Sequence, residues 1–291
     1  MDSRADRFWM SFDRLRARFG WAPRWHALQD ASRLGPECHP HFGCIAGIDL
    51  ANWLASYPDR GAPERSIVLA TEERTGSEWL CQLLGATGRL GRPSEYLNTP
   101  WMQRFISDYP ADVPAQIVIA HRVGTTANRC FAMKLHPLHL DRLLQGGGSV
   151  SATFPNAMFV RLLRRDLLAQ AISLCRARQT GSFHFHITME RDAVFDADAI
   201  EQVLRELATN RARWNMYFAR TGIAPLVLGY EELRADPIGT VRRIARHVNE
   251  RIAKHDLARV QPISQQADAV SAEWRERFVR ERGSPDRFDL L

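Results

Sequence analysis

Two stretches of the chain share one pattern: a short apolar run, a polar turn, then apolar residues recurring every three or four positions. In the first, residues 66–70 (SIVLA) read as a buried strand and residues 71–76 (TEERTG) as a turn. A helix follows, with Ser77 as its expected cap, Trp79, Leu80, Leu83 and Leu84 on its buried face, and Gly85 and Gly88 as stops. In the second, residues 157–163 are the strand, Arg164-Arg165-Asp166 the turn and residues 167–178 the helix. Leu167, Leu168, Ala171, Ile172 and Cys175 form its apolar stripe, with Ser173 on a neighbouring face. A long helix is predicted over residues 199–219, buried along Ile200, Val203, Leu204, Leu207, Arg211, Trp214 and Phe218 and ended by Gly222. Residues 225–228 read as a strand, followed by Tyr230-Glu231-Glu232-Leu233, and Asp236-Pro237 opens a helix through His247. Residues 117–120 and 131–135 are further short apolar runs, and residues 145–151 a Gly- and Ser-rich connection. Strands alternating with helices predict an α/β fold, a central mostly parallel sheet flanked by helices on both faces. Ligands of such sheets sit at the carboxyl ends of the strands, where both arginine turns fall.

Residues 1–65 read as an N-terminal helical appendage to a main domain over 66–291. Phe8, Phe12, Leu15 and Phe19 recur at helical spacing among Arg7, Arg14, Arg16 and Arg18. Such a helix docks on its own domain or makes a peripheral contact with an anionic membrane; Asp2, Asp6 and Asp13 dilute its charge and favour docking. Cys38, His39, His41 and Cys44 are crowded into seven residues. One short loop is poorly suited to wrapping a tetrahedral metal, so no metal is expected there.

A hydrophobic share of 45% with 25% charged residues is that of a soluble globular protein, and no apolar run is long enough to cross a bilayer. The five cysteines are odd in number, which with the absence of an apolar leader predicts a cytoplasmic protein. The net charge is +6, carried almost wholly by arginine: Lys134 and Lys254 are the only lysines. Arginine grips phosphate and sulfate oxygens in a fork, so the balance suits an anionic ligand. Nucleic acid is not expected, because no recognised module or basic-aromatic stripe accompanies the charge.

The 71–77 turn suits an anion because N–H groups of a helix start point at it and Gly76 lets the backbone approach. It lacks the lysine and the length of a triphosphatase loop, and no Gly-x-Gly-x-x-Gly is present. Arg164 with Ser173 offers a second cradle, as a nucleotide phosphorylated at both 5′ and 3′ positions would require. His184 and His186 alternate as if on one face of a strand or loop, and Lys134 stands on an apolar strand where its ordinary fate is to reach solvent.

These residues resemble a family. Arg74-Thr75-Gly76-Ser77-Glu78-Trp79 is similar to the sulfotransferase 5′-phosphosulfate loop, usually Lys-Ser-Gly-Thr-Thr-Trp, and Arg164 with Ser173 to the pair that grips the 3′-phosphate. Ala86-Thr87-Gly88, Gly91-x-Pro93-x-Glu95-Tyr96, the 170–180 segment QAISLCRARQT, Gln266-Ala267-Asp268 and Ser271-x-Glu273-Trp274 resemble the bacterial trehalose 2-sulfotransferase-like family. The resemblance implies the P-loop-like sulfotransferase fold, 3′-phosphoadenosine 5′-phosphosulfate as donor without a metal, a sugar or glycolipid acceptor, and a homodimer. It implies Glu95 as general base and Arg74 as the cation that offsets developing charge. Thr75, Gly76, Ser77, Glu78 and Trp79 would hold the 5′-phosphate, with Trp79 on the adenine, and Arg164 and Ser173 the 3′-phosphate. Glu78 replaces a hydroxyl residue, the Glu72-Glu73 turn is one residue longer, and Gln265 replaces an arginine. These departures motivate an alternative, a non-catalytic nucleotide-binding protein on the same fold, held peripherally at a membrane.

Overall fold

The computed structural model describes residues 42, 47–181, 183, 192–253, 256 and 269–288. The amphipathic pattern of residues 8–19, the cysteine–histidine cluster apart from Phe42, His184, His186 and residues 265–268 lie outside the described residues.

Four strands form the sheet: β1 (Arg65–Ala70), β2 (Cys130–Leu135), β3 (Ala157–Leu163) and β4 (Leu226–Gly229), in the order β2-β1-β3-β4 and all parallel. Among the described residues the helices are, in chain order, α1 (Leu50–Ala55), α2 (Ser77–Ala86), α3 (Thr99–Gln103), α4 (Val113–Gly124), α5 (Pro137–Gln145), α6 (Val150–Thr153), α7 (Leu167–Thr180), α8 (Ala197–Thr221), α9 (Tyr230–Ala235), α10 (Pro237–His247) and α11 (Ala269–Arg282). The predicted α/β class and both strand-turn-helix units are present.

Alternation along β1 divides the core. Val68 and Ala70 face a layer with Trp53 of α1, Ile119 and Val123 of α4, and Trp214 and Phe218 of α8. Ile67 and Leu69 face Leu80, Leu83 and Leu84 of α2 and Val241 and Ile244 of α10. A third cluster joins α7, α8 and α11 through Ile172, Cys175, Ile200, Leu207, Trp274 and Phe278. Cys81, Cys130 and Cys175 are buried free thiols.

Two local expectations change. Residues 117–120 are not an isolated run but the middle of α4, whose start is set by Asp112, the side chain accepting from Ala115 N–H (2.9 Å), and by Pro114 in the first turn. Ser77 is the first residue of α2 and not its cap; Gly76 takes that place in a left-handed conformation (φ 80°), with no side chain capping the helix. Leu80 N–H makes the first intrahelical bond, to Gly76 O (3.1 Å), so the N–H groups before it point out of the helix end.

Candidate active site

The chain leaves β1 for β2 on one side and β3 for β4 on the other, so the order of the sheet reverses between β1 and β3. That reversal opens a crevice at the carboxyl ends of these strands. The turns after β1 and β3 stand at its two walls, and β2 and α9 add residues from the flanks.

The turn after β1 is pinned from several sides. Glu72 points inward to Arg161 of β3, which also donates to Ala70 O (3.0 Å); both side chains are almost wholly buried. The first glutamate of the Glu72-Glu73 turn is thus held inside by an ion pair. Trp214 Nε1 donates to Thr71 O (3.0 Å), Gln170 Nε2 to Glu73 O (2.6 Å) and Thr75 Oγ1 to Glu72 O (3.0 Å). Arg74 adopts a left-handed φ of 60°, unusual for a residue with a side chain, and these anchors hold it there. A Cβ on Gly76 would stand 2.6 Å from the Tyr230 ring, so backbone alone fits between α9 and the turn.

Arg74, Arg164 and Ser173 come together. Arg74 Nε donates to Ser173 Oγ (2.9 Å) and its Nη1 to Phe183 O, while Arg164 Nη1 lies 3.4 Å from Arg74 O and stacks over the Tyr230 ring at 5.0 Å. Ser173 therefore meets the Arg74 side chain, and Arg164 meets the backbone carbonyl of the same residue. Burial, then the positive charges of Arg164 and Arg176, push Arg74 down to about 10, with Glu78 and Tyr230 acting the other way. Arginines crowded against mutual repulsion can be relieved by an anion placed between them.

Glu95 stands on the loop after α2, which is held against the adjoining strand β2. Gly91 lies against β2 so closely that a Cβ would stand 2.4 Å from that of Ala132, and Lys134 N–H donates to Ser94 O (3.1 Å). Tyr96 OH donates to Arg92 O (2.7 Å) and Tyr109 OH to Tyr96 O (2.8 Å), fixing the loop behind the carboxylate. Lys134 Nζ is 2.6 Å from Glu95 Oε1 and 3.1 Å from Glu78 Oε2; the lysine side chain is only 4% exposed, the two glutamates 15% and 20%. The expectation that Lys134 reaches solvent is wrong: two carboxylates draw its ammonium inward. Glu78, in the first turn of α2, has its charge taken up by the same lysine.

His136 follows β2 directly, its Nε2 3.3 Å from Glu95 Oε1 and its Nδ1 3.2 Å from Thr71 O and Oγ1. Asn98 Nδ2 donates to Glu95 Oε2 (2.6 Å), and His139 Nε2 is 3.9 Å from the same oxygen. Burial opposes ionisation of Glu95, but Lys134 and then His136 outweigh it and hold the carboxyl well below the ordinary carboxylate value. Burial likewise opposes protonation of His136, and Glu95 overrides it, raising the imidazole above its usual value. For His139 burial prevails and lowers it to about 3, leaving a neutral ring. The sequence reading missed His136, His139, Arg161 and Tyr230. Lys134-Leu135-His136 at the end of an apolar strand was the available signal for the first.

The Stf0 sulphotransferase family model matches residues 66–281. The chain belongs to the Stf0 sulphotransferase family. It is 27% identical over 255 residues to the trehalose 2-sulfotransferase of Mycobacterium tuberculosis (strain ATCC 35801 / TMC 107 / Erdman), covering 74% of this chain and 94% of the relative. It is 28% identical over 262 residues to that of Mycolicibacterium smegmatis (strain ATCC 700084 / mc(2)155), covering 75% and 96%. Among solved structures, sulfotransferase STF1 of Mycobacterium tuberculosis H37Rv is similar at a TM-score of 0.44 and 19% identity, covering 75% of this chain and 77% of that one. Mouse sulfotransferase SULT7A1 complexed with PAP is similar at 0.42 and 12%, covering 83% and 89%. The protein is a sulfotransferase enzyme with the parallel, helix-flanked sheet expected of that fold. Among the described residues no helix is long and apolar enough to cross a membrane.

Proposed function

We propose that this Stf0 sulfotransferase moves a sulfuryl group, in line, from 3′-phosphoadenosine 5′-phosphosulfate to a hydroxyl of a sugar or glycolipid. The observation that carries this reading is the pairing of an arginine-lined turn at the β1–β3 crevice with a largely buried carboxylate, Glu95, held ionised on a loop beside β2. Two trehalose 2-sulfotransferases among the relatives support a carbohydrate acceptor.

The residues present suit the donor. Backbone alone fits at Gly76, and among the described residues the buried Trp79 indole N–H has no protein partner. N–H groups from Thr75 to Trp79 would hold the 5′-phosphate, and Arg164 and Ser173 the 3′-phosphate. Trp79 packs its ring against the cluster under α2, so core packing and a donor contact are both within its reach. The donor, when bound, supplies an activated sulfuryl group on a phosphate leaving group.

Glu95 takes the proton of the acceptor hydroxyl. Being held below the usual carboxylate value it is a weak base, so the proton moves late, when the hydroxyl oxygen has lost electron density to sulfur and become acidic. Lys134 and His136 keep the carboxylate ionised and oriented until then. Arg74, freed from Ser173, would neutralise charge on the bridging oxygen; a guanidinium stays protonated, so it acts by charge and not as an acid.

The test is differential stabilisation. Adenosine 3′,5′-bisphosphate is expected to raise the melting temperature clearly more than ATP at equal concentration. Equal shifts, or none, would count against the two-phosphate reading.

A further inference from the structure

The C-terminal helix α11 touches the second anion cradle through one ion pair. Arg275 donates from Nη1 to both oxygens of Asp166, each at 2.8 Å. Asp166 ends the turn that carries Arg164 and caps α7, accepting from Ala169 N–H (3.0 Å). Trp274 and Phe278 fix α11 in the cluster beneath α7, and Arg176 of α7 donates to Ser271 Oγ of α11 (2.6 Å), so Arg275 is presented from a braced helix.

Asp166 is an awkward neighbour for a phosphate site. A carboxylate two residues from Arg164 both attracts that guanidinium and repels an incoming anion. Arg275 Nη1, shared between both carboxylate oxygens, occupies the atoms with which Asp166 would do either. Despite partial burial, Asp166 is held below the ordinary carboxylate value by Arg275, then by the Ala169 N–H and Arg164, so its charge is permanent near neutral pH and needs a permanent counter-charge.

We propose that Arg275 is a positioning residue of the donor site: it ties up Asp166 so that Arg164 stays available to the nucleotide 3′-phosphate. This rests on the proposed function, in which Arg164 and Ser173 face that phosphate. It makes α11 part of the donor site although none of its residues need touch the nucleotide.

Titration calorimetry of the full chain with adenosine 3′,5′-bisphosphate and with adenosine 5′-phosphate separates the 3′-phosphate from everything else. Arg275→Met is expected to weaken the bisphosphate by about two- to fivefold, the range open to a half-exposed ion pair, and to leave the monophosphate unchanged. Adding Asp166→Asn, which keeps a capping oxygen but removes the charge, is expected to restore bisphosphate affinity. Equal weakening of both nucleotides, or no rescue by Asp166→Asn, would mean that Arg275 serves only to dock the helix and would overturn the proposal. A wild-type preference for the bisphosphate that Arg275→Met leaves intact overturns it too. A wild type that binds the two nucleotides equally removes the 3′-phosphate reading itself, and the proposal with it.

Discussion

Replacing Lys134 by Met tests the ionic centre of the site, because it deletes the ammonium and keeps most of the buried stem. Removing one partner of a fully buried ion pair costs about 3–5 kcal/mol, since the remaining charge is left in a poor solvent. Here Glu95 and Glu78 retain 15% and 20% exposure, and His136 and Asn98 still face Glu95. The expected loss is therefore smaller, about 2–3 kcal/mol near pH 7. The loss should depend on pH in a defined direction. In the wild type the folded Glu95 value is depressed, so its stabilisation is full above the unfolded value of about 4.3 and is lost as pH falls through the folded one. Without Lys134, burial meets a weaker opposing charge, so the Glu95 value rises from its wild-type one and protonation relieves the variant. Urea unfolding of both proteins between about pH 7 and pH 4 should show the difference shrinking as the solution is acidified. A loss below about 1 kcal/mol, or one constant with pH, would refute the claim that Lys134 and Glu95 form a buried, mutually dependent pair.

Further outcomes follow from the same geometry. Gly76→Ala places a methyl 2.6 Å from Tyr230 at φ 80°; it should cost about 1–2 kcal/mol from the backbone alone and abolish stabilisation by the bisphosphate, and a normal thermal shift would show that the turn is not the phosphate cradle. Arg161→Met should destabilise by about 3–5 kcal/mol in chemical unfolding by stranding Glu72, and the double variant with Glu72→Gln should lose less than the single one. For His136 the sign is opposite to that of Glu95: its raised value gives stabilisation that is full below about 6.5 and lost as pH rises through the folded value. His136→Gln should therefore lag the wild type most in mildly acidic solution and least in alkaline, and a lag that grows with pH would contradict this assignment.

How far the sequence could be read depended on whether the physics was local. The strand-turn-helix units at residues 66–86 and 157–180 were legible because strand, polar turn and helical stripe each show a local period. Helix α4 was not, because Val118 faces outward at 69% exposure while the polar Gln116 is buried; apolar and polar positions are exchanged, and the stripe dissolves into a short apolar run. Ser77 looked like a cap because serine prefers that position, but the close approach of Tyr230 from α9 reserves it for Gly76. Lys134 is the sharpest case. A lone lysine on an apolar strand is visible in the sequence, but its burial is decided by Glu78, 56 residues away, and by Glu95, which only the fold brings within reach. Glu78 and the Glu72-Glu73 turn looked like defects for the same reason, their partners Lys134 and Arg161 being on neighbouring strands.

The most direct test of the central claim is transfer of labelled sulfate from 3′-phosphoadenosine 5′-phosphosulfate to trehalose, other simple sugars and a glycolipid extract, with the products identified by mass spectrometry, for wild type and Glu95→Gln side by side. The wild type should label a carbohydrate hydroxyl, and Glu95→Gln should lose most of that turnover, by about 100-fold or more, while keeping its thermal shift with the bisphosphate. A carbohydrate product formed equally well by both proteins would remove Glu95 from the base role. No labelled carbohydrate from the wild type would contradict the proposed reaction.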